Sequence, residues 1–315
     1  MRVAVLDDYF NKALEFADWS PLDGRADITV FNDHLGNEDN VVAALNDFEI
    51  IVGMRERTPF PRSVIEQLPK LKLLITTGGR NRSFDFDAAT EKGITICHTG
   101  GVGSPTSELA WGLILGLLRD IPGQFQSMQS GGWQTKPGYD LASRTLGVLG
   151  LGKLGAAVAK VGLAFSMNVV AWSQNLTDER AQEVGVKKVD KDAFFSQSDI
   201  ISIHYVLGDR SRGIVGKNEL GQMKDNAYII NTSRGPLIDE AALLKALQNG
   251  EIGGAGLDTY GVEPLPADHP IRKLDNVLLT PHLGYVTVEN TQKQYTDVVE
   301  DIVKFLDGDP VRVLN

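Results

Sequence analysis

The chain has 315 residues, 42% hydrophobic and 23% charged, with a formal net charge of −10 and a single cysteine, Cys97. The length predicts about two domains at roughly 100–200 residues each, with room for large cores. The acidic balance argues against a general nucleic-acid or membrane-surface role, and one cysteine cannot close an internal disulfide, which makes a reducing cytoplasm the expected compartment.

The N-terminus opens on an apolar run that reads as a buried strand at residues 2–6, followed by Asp7 and Asp8, a pattern unlike a signal peptide. Further strands are expected at 28–31, 49–53, 71–76 and 94–97, with helices at 41–46, 64–68 and 86–92. This alternation predicts right-handed crossovers and a parallel sheet. Ligands of open sheets meet the carboxyl ends of strands. That singles out Arg55 and Arg57 after the third strand, and Gly78, Gly79 and Arg80 after the fourth. From Met54 to Arg82 the segment carries seven basic residues and two acids, +5 within an acidic chain. Arg55 and Arg80 fall at adjacent strand ends; they are either solvated or ion-paired arginines, or contacts to a second anionic group on a ligand.

Ser104 to Glu108 opens a long helix, for which Thr106 or Ser107 is the expected cap with Pro105 just outside. The run from Leu109 to Leu118 is apolar throughout but too short to span a bilayer, so a buried core helix is expected. Residues 123–143 are mostly polar, with Trp133 and Tyr139 as bulky exceptions, and read as a connecting loop or arm that needs a partner surface.

A second alternating series begins at Thr145. The stretch Leu146–Leu149, then Gly150-x-Gly152-x-x-Gly155, then Ala156–Lys160 reads as strand, tight turn and helix. The first glycine permits the turn, the second lets a pyrophosphate approach the backbone, and the third lets the helix pack on the strand. Free N–H groups and the dipole at the helix start favour an anion. Alone the triplet is a weak signal and fits a ligand-free turn as well; its flanking strand and helix strengthen it. Strands follow at 169–172, 200–203, 228–232, 254–258 and 277–280. Helices are expected at 192–197 and 217–223, from a cap at Asp239 through Leu247 to a stop at Gly250, and finally at 289–306.

Three of these strands run into segments with reactive side chains: Ile230–Gly235, Gly256–Pro264 and Leu279–Gly284. If the strands are parallel, Arg234, Glu263 and His282 emerge at the edge that the Gly150 loop faces. A cationic imidazole can give a proton to a carbonyl oxygen and stabilise developing alkoxide charge. A nearby carboxylate favours that cation, and an arginine offers a planar fork for a substrate carboxylate. His34, His98 and His269 sit in expected loops and receive no role. No set of residues has a recognised metal spacing.

With these segments in this order, the chain resembles the D-isomer-specific 2-hydroxyacid dehydrogenase family over nearly its whole length, in particular hydroxypyruvate and glyoxylate reductases and phosphoglycerate dehydrogenases. The resemblance implies an α/β fold of two Rossmann- or flavodoxin-like lobes, each a doubly wound parallel sheet, with a cleft between them. Residues 1–98 plus 286–315 would form the substrate-binding lobe and residues 99–285 the dinucleotide-binding lobe. It implies a homodimer paired through an arm like residues 123–143, and closure of the lobes over substrate.

The resemblance assigns catalysis to Arg234, Glu263 and His282. It places a nicotinamide dinucleotide on Gly150, Gly152, Lys153, Leu154 and Gly155, with Thr106, Thr232, Ser233, Arg234, Asp258, His282 and Gly284 toward the nicotinamide and His204 bordering the adenine pocket. Gly78, Gly79 and Arg80, with Arg55, Arg234 and His282, would hold the substrate. NAD-binding members carry an acid at the end of the second strand of this lobe. Here Ser173, Gln174 and Asn175 stand there, with no arginine or lysine directly after them, so NAD and NADP both fit and NAD is slightly favoured. Pro281 before His282 departs from the glutamine of the formate dehydrogenases and favours hydroxyacids.

The expected function is thus NAD(P)H-dependent reduction of a small 2-keto acid to its D-2-hydroxy acid, with His282 as general acid/base. The alternative is a dinucleotide-sensing protein of the corepressor type, which can keep the triad. A purely structural scaffold leaves the glycine loop unexplained. Trp133, Tyr260 and Tyr285 either shape the pocket or pack.

Overall fold

Two all-parallel sheets organise the computed structural model, which describes residues 1–79 and 81–315. Arg80, one of the expected substrate contacts, lies outside the described residues. Contacts divide the chain into two units, Met1–Gly103 with Thr287–Asn315, and Ser104–Val286.

The first unit holds β1 (Arg2–Val5), β2 (Asp27–Val30), β3 (Ile50–Gly53), β4 (Leu73–Thr76) and β5 (Thr95–His98), in the order β2-β1-β3-β4-β5. Helices α1 (Glu38–Leu45), α2 (Arg62–Ile65) and α3 (Phe86–Glu91) connect them. Every residue of β3 and β4 is buried, as apolar strands covered on both faces should be. Asn37 and Asp85 cap α1 and α3 by accepting the N–H groups of Asn40 and Ala88. His98 ends β5 and does not lie in a loop as expected, because the strand runs one residue further.

The C-terminal helix Val288–Leu306 also belongs to this unit and buries Tyr295, Val298, Val299 and Ile302. Its Asp297 accepts the N–H of Gly100 at 2.8 Å and its Asn290 that of Val102 at 3.0 Å. The residues beyond it reach β5, where the Leu314 N–H donates to the Ile96 carbonyl at 2.8 Å.

The second unit opens with α4 (Pro105–Leu118) and α5 (Ile121–Gln129). Its strands are β6 (Thr145–Leu149), β7 (Asn168–Trp172), β8 (Lys187–Lys188), β9 (Ile200–Ile203), β10 (Tyr228–Asn231), β11 (Gly254–Leu257) and β12 (Val277–Leu279). Between them lie α6 (Lys153–Ala164), α7 (Asp178–Val184), α8 (Lys191–Gln197), α9 (Lys217–Gln222) and α10 (Glu240–Asn249). The sheet order is β12-β11-β10-β9-β6-β7-β8. It reverses between β6 and β9, the switch point where such sheets take ligands. Alternate strand residues serve two cores: Val148, Ile200 and Ile230 join Trp111, Ile114 and Val158, while Leu149, Ile201 and Ile229 join Phe194, Phe195 and Leu243.

Three expectations need correction. Helix α4 starts at Pro105, inside the helix, where its missing N–H costs nothing; Ser104 takes the cap position, and the Ser107 hydroxyl donates to the Ser104 carbonyl at 2.7 Å. The expected loop from Gly123 contains most of α5, whose side chains are all at least partly exposed, so no core periodicity marked it. Helix α7 was not expected, although Thr177 caps it and Gly185, at φ +80°, stops it. Among the described residues, no helix is long and apolar enough to cross a membrane.

Candidate active site

The strands of the second unit end in register. Leu149 pairs with Ile203, Ile203 with Asn231, Asn231 with Leu257, and Leu257 with Leu279. Gly150, His204, Thr232, Asp258 and Thr280 therefore all leave the sheet at one edge.

The glycine loop divides its labour as the spacing predicts. Gly150 sits at φ +94°, and a Cβ on it would lie 2.5 Å from the His204 carbonyl oxygen. A Cβ on Gly155 would lie 2.0 Å from the Gly150 carbonyl oxygen, so only hydrogen lets α6 close on the turn. Around Gly152, which precedes α6, no atom lies within 4 Å of the corresponding position. That opening, at a helix N-terminus whose first residues are Lys153, Leu154 and Gly155, is where a pyrophosphate would meet backbone N–H groups. Nearby, His204 Nδ1 and Thr232 Oγ1 are buried with no hydrogen-bond partner among the described residues. Buried polar atoms are normally satisfied, so this edge fits a group that brings its own donors and acceptors. Ser233 does not contribute a free hydroxyl, since it donates to the Ile203 carbonyl at 2.8 Å. Thr106 donates to the Gly284 carbonyl at 2.8 Å.

Beside the glycine turn, the Gly150 N–H donates to the Trp172 carbonyl at 2.9 Å, which sets Ser173 next to it. Ser173 is half-buried, while Gln174 and Asn175 are exposed. Arg180 of α7 reaches the same turn, its Nε donating to the Leu151 carbonyl at 3.2 Å. Sequence reasoning missed it because the helix that carries it was missed.

The three reactive segments form one network. His282 Nδ1 stands 2.6 Å from Glu263 Oε2, and the Tyr260 N–H donates to Glu263 Oε1 at 2.9 Å. Burial pushes the Glu263 carboxyl up, but the His282 hydrogen bond and charge, the Tyr260 N–H and the charge of Arg234 outweigh it and hold the group below its ordinary range. Glu263 is therefore a carboxylate at neutral pH and can only accept, so Nδ1 is the donor and Nε2 is left for chemistry. His282 has φ 53°, uncommon for a side-chain-bearing residue.

Asp258 holds that backbone. Its Oδ1 accepts from the Thr280 hydroxyl at 2.6 Å and the Leu283 N–H at 2.7 Å, and its Oδ2 from the Gly284 N–H at 2.8 Å. Burial nevertheless pushes the Asp258 carboxyl above its ordinary range. Expected beside the nicotinamide, Asp258 has no exposed surface and is turned onto the loop that carries His282. Asn231 does the same for Arg234, accepting the Ser233 N–H at 3.0 Å and donating to the Arg234 carbonyl at 2.9 Å. Tyr260 lines a small pocket with Gly235, Leu243 and Ile271, its hydroxyl within reach of the Leu257 and Thr280 carbonyls at 3.0 and 2.9 Å. Tyr285 sets its ring edge-on to His282, 5.6 Å between centroids. Among the described residues no group of His, Cys, Asp and Glu could hold a metal.

His204 also contributes to the pH dependence of stability. Burial lowers its pKa from 6.5 to about 4. Below pH 6.5 the unfolded chain takes a proton that the folded chain refuses, so the contribution present above that pH is lost as pH falls toward 4. The loss is on the order of 3 kcal/mol. Denaturant melts between pH 7 and 4 should give a shallower stability loss for His204→Gln than for the parent chain; parallel curves would refute the assignment.

In the first unit, Arg55 (φ 55°) lies across Gly78, where a Cβ would fall 1.8 Å from its Nη1. Its N–H donates to Thr77 Oγ1 at 3.0 Å, and its Nε stands 3.9 Å from Glu56. The Gly78 N–H donates to Thr99 Oγ1 at 2.8 Å, whereas the Cβ position of Gly79 faces open space. Arg57 serves structure, donating to the Asp7 carbonyl at 2.9 Å and stacking on Tyr9 at 4.5 Å.

Comparison with known proteins identifies the family. The family model described as D-isomer specific 2-hydroxyacid dehydrogenase, NAD binding domain, matches residues 111–284. The chain is 35% identical to a hydroxypyruvate reductase of Thermotoga maritima, over 90% of this chain and 92% of that one. It is 37% identical to a D-3-phosphoglycerate dehydrogenase of Archaeoglobus fulgidus, over 88% of this chain but 53% of that protein, so it spans about half the length of that relative. A solved phosphoglycerate oxidoreductase from Vibrio cholerae superposes with a TM-score of 0.92 at 35% identity, over 98% of this chain and 99% of that one.

Proposed function

The chain belongs to the D-isomer-specific 2-hydroxyacid dehydrogenases, and on that premise we propose that it reduces a small 2-keto acid to the D-2-hydroxy acid with a nicotinamide dinucleotide. The observation that carries this reading is the 2.6 Å contact from His282 Nδ1 to an ionised Glu263. It fixes the ring's orientation and leaves Nε2 as the proton donor.

A dinucleotide held by the second unit would supply the hydride for the carbonyl carbon. His282 gives the proton to the carbonyl oxygen through Nε2 and takes it back in the reverse direction. Glu263 holds the imidazole and stabilises its cationic form. Arg234 presents its guanidinium to the substrate carboxylate and draws charge from the carbonyl. The second unit binds the dinucleotide through Gly150, Gly152, Lys153, Leu154 and Gly155, and through Thr232 and His204. In the first unit, the backbone at Gly79 serves a substrate carboxylate, and Arg55 suits a second anionic group.

The protein works in the cytoplasm as a homodimer in this reading. Support for the dimer comes from α5 and the arm after it, where Ile121, Phe125, Met128 and Trp133 are each more than half exposed, Trp133 at 72%. Sedimentation at micromolar concentration giving only the 34.3 kDa monomer would refute it. The relatives named above are dehydrogenases and reductases, and the dinucleotide-sensing alternative draws no support from them.

The test is absorbance loss from NADH and NADPH in parallel against glyoxylate, pyruvate, hydroxypyruvate, a phosphorylated keto acid and a dicarboxylic one. Turnover with at least one is expected. Dinucleotide binding without turnover across that panel would overturn the reading.

A further inference from the structure

The groups around the second-strand end bear on which dinucleotide is used. An aspartate or glutamate at that end would bond the ribose hydroxyls and repel a 2′-phosphate. Ser173, Gln174 and Asn175 carry no charge, so they repel nothing. Arg180 reaches the turn from α7 and anchors its guanidinium through Nε on the carbonyl of Leu151, between the first two glycines of the fingerprint. The anchor fixes the fork beside the turn without neutralising it. Nη1 pairs with Glu183 at 3.0 Å. Other charges on the helix are Glu179, next to Arg180, and Asp178, which stands 3.4 Å from Lys188. The pair with Glu183 is exposed on both sides, 42% and 65%. Exposed pairs of this kind are worth little, so an incoming dianion can take the guanidinium from Glu183.

We propose that Arg180 selects the cofactor: its guanidinium receives the 2′-phosphate of NADP, with Ser173, Gln174 and Asn175 supplying neutral donors around it. The inference rests on the reading above that the second unit binds a nicotinamide dinucleotide. With Nε held by the Leu151 carbonyl and the exposed Glu183 pair at Nη1 displaced, the two terminal nitrogens can bind phosphate in a bidentate manner. The cation comes from the following helix and not from the residues directly after the strand. A search limited to those residues therefore finds neither the acid of an NAD site nor the base of an NADP site.

The experiment measures equilibrium binding of adenosine 2′,5′-bisphosphate and of 5′-AMP by calorimetry at fixed ionic strength. It compares the full chain with Arg180→Ala, Arg180→Lys and Ser173→Asp. The bisphosphate should bind the parent chain about 10- to 100-fold more tightly than AMP, as a charge-assisted contact implies. Arg180→Ala should abolish that difference while AMP affinity holds, Arg180→Lys should keep part of it, and Ser173→Asp should lose it by repulsion. Equal affinities in the parent chain would overturn the proposal, as would an equal loss of both ligands in Arg180→Ala and Arg180→Lys, which would make Arg180 a prop for the glycine loop. If neither nucleotide bound, and NADH and NADPH also failed to bind, the dinucleotide reading itself would fall and this inference with it.

Discussion

His282→Ala is expected to lower kcat by about 100- to 10,000-fold, the usual weight of a positioned general acid, while dinucleotide affinity stays within a few-fold of the parent. The reason is geometric. Only Nε2 of the ring is free of the 2.6 Å bond to Glu263, so no other nitrogen of that side chain can give the proton. The backbone at His282 is in the left-handed region, at φ 53°. His282→Asn is the companion variant, because asparagine tolerates that conformation better than most residues. It should be as inactive as alanine while melting at the parent temperature. Either variant retaining more than a tenth of parental kcat would remove His282 from the reaction.

Gly235→Ala is expected to be comparably damaging without touching a reactive group. A Cβ there would sit 2.1 Å from the Tyr260 carbonyl carbon and 2.2 Å from its oxygen, and both are backbone. Neither loop can yield cheaply. Gly235 follows Arg234, and the Tyr260 N–H holds Glu263, so the methyl group drives apart the loops that carry two of the three groups proposed to act in catalysis. Overpacking of this kind costs about 1–3 kcal/mol. A displacement near 1 Å at a catalytic group costs about 100-fold in rate. Thermal melts and kcat/KM on the same preparation check it. An active variant with an unchanged melting temperature would show that the two loops are not packed as described.

The parts of this architecture that the sequence made legible are those where one local pattern has one physical meaning. Apolar runs separated by helical stretches gave both parallel sheets, and the glycine spacing gave the turn after β6, because Gly150 and Gly155 each answer a separate steric demand. The order of Arg234, Glu263 and His282 after strands was enough to place them at one edge. What stayed hidden depends on long-range contacts. Asp258 is expected at the nicotinamide, and no local pattern announces that its oxygens also hold Thr280, Leu283 and Gly284, partners more than twenty residues away. Helix α5 lacks a buried face, and its periodic mark is confined to the helical spacing of the exposed Ile121, Phe125 and Met128. Helix α7 is brief, and its local marks are a cap at Thr177, the acids Asp178 and Glu179 in its first turn and a stop at Gly185; overlooking them also concealed Arg180.

The first unit is built from both stretches of the chain that flank the second. Its sheet comes from residues before Gly103, but the helix that covers it and the segment that pairs with β5 come from residues after Thr287. The second unit is continuous from Ser104 to Val286. On the ribosome, the second unit can therefore close its two cores as soon as its last strand emerges. The first-made residues must meanwhile wait, with the apolar surface meant for Tyr295, Val298 and Ile302 uncovered, until the final segment is translated. The residues before Gly103 are thus completed only after residues 104–286 have been made, and their exposed apolar surface is aggregation-prone in that interval.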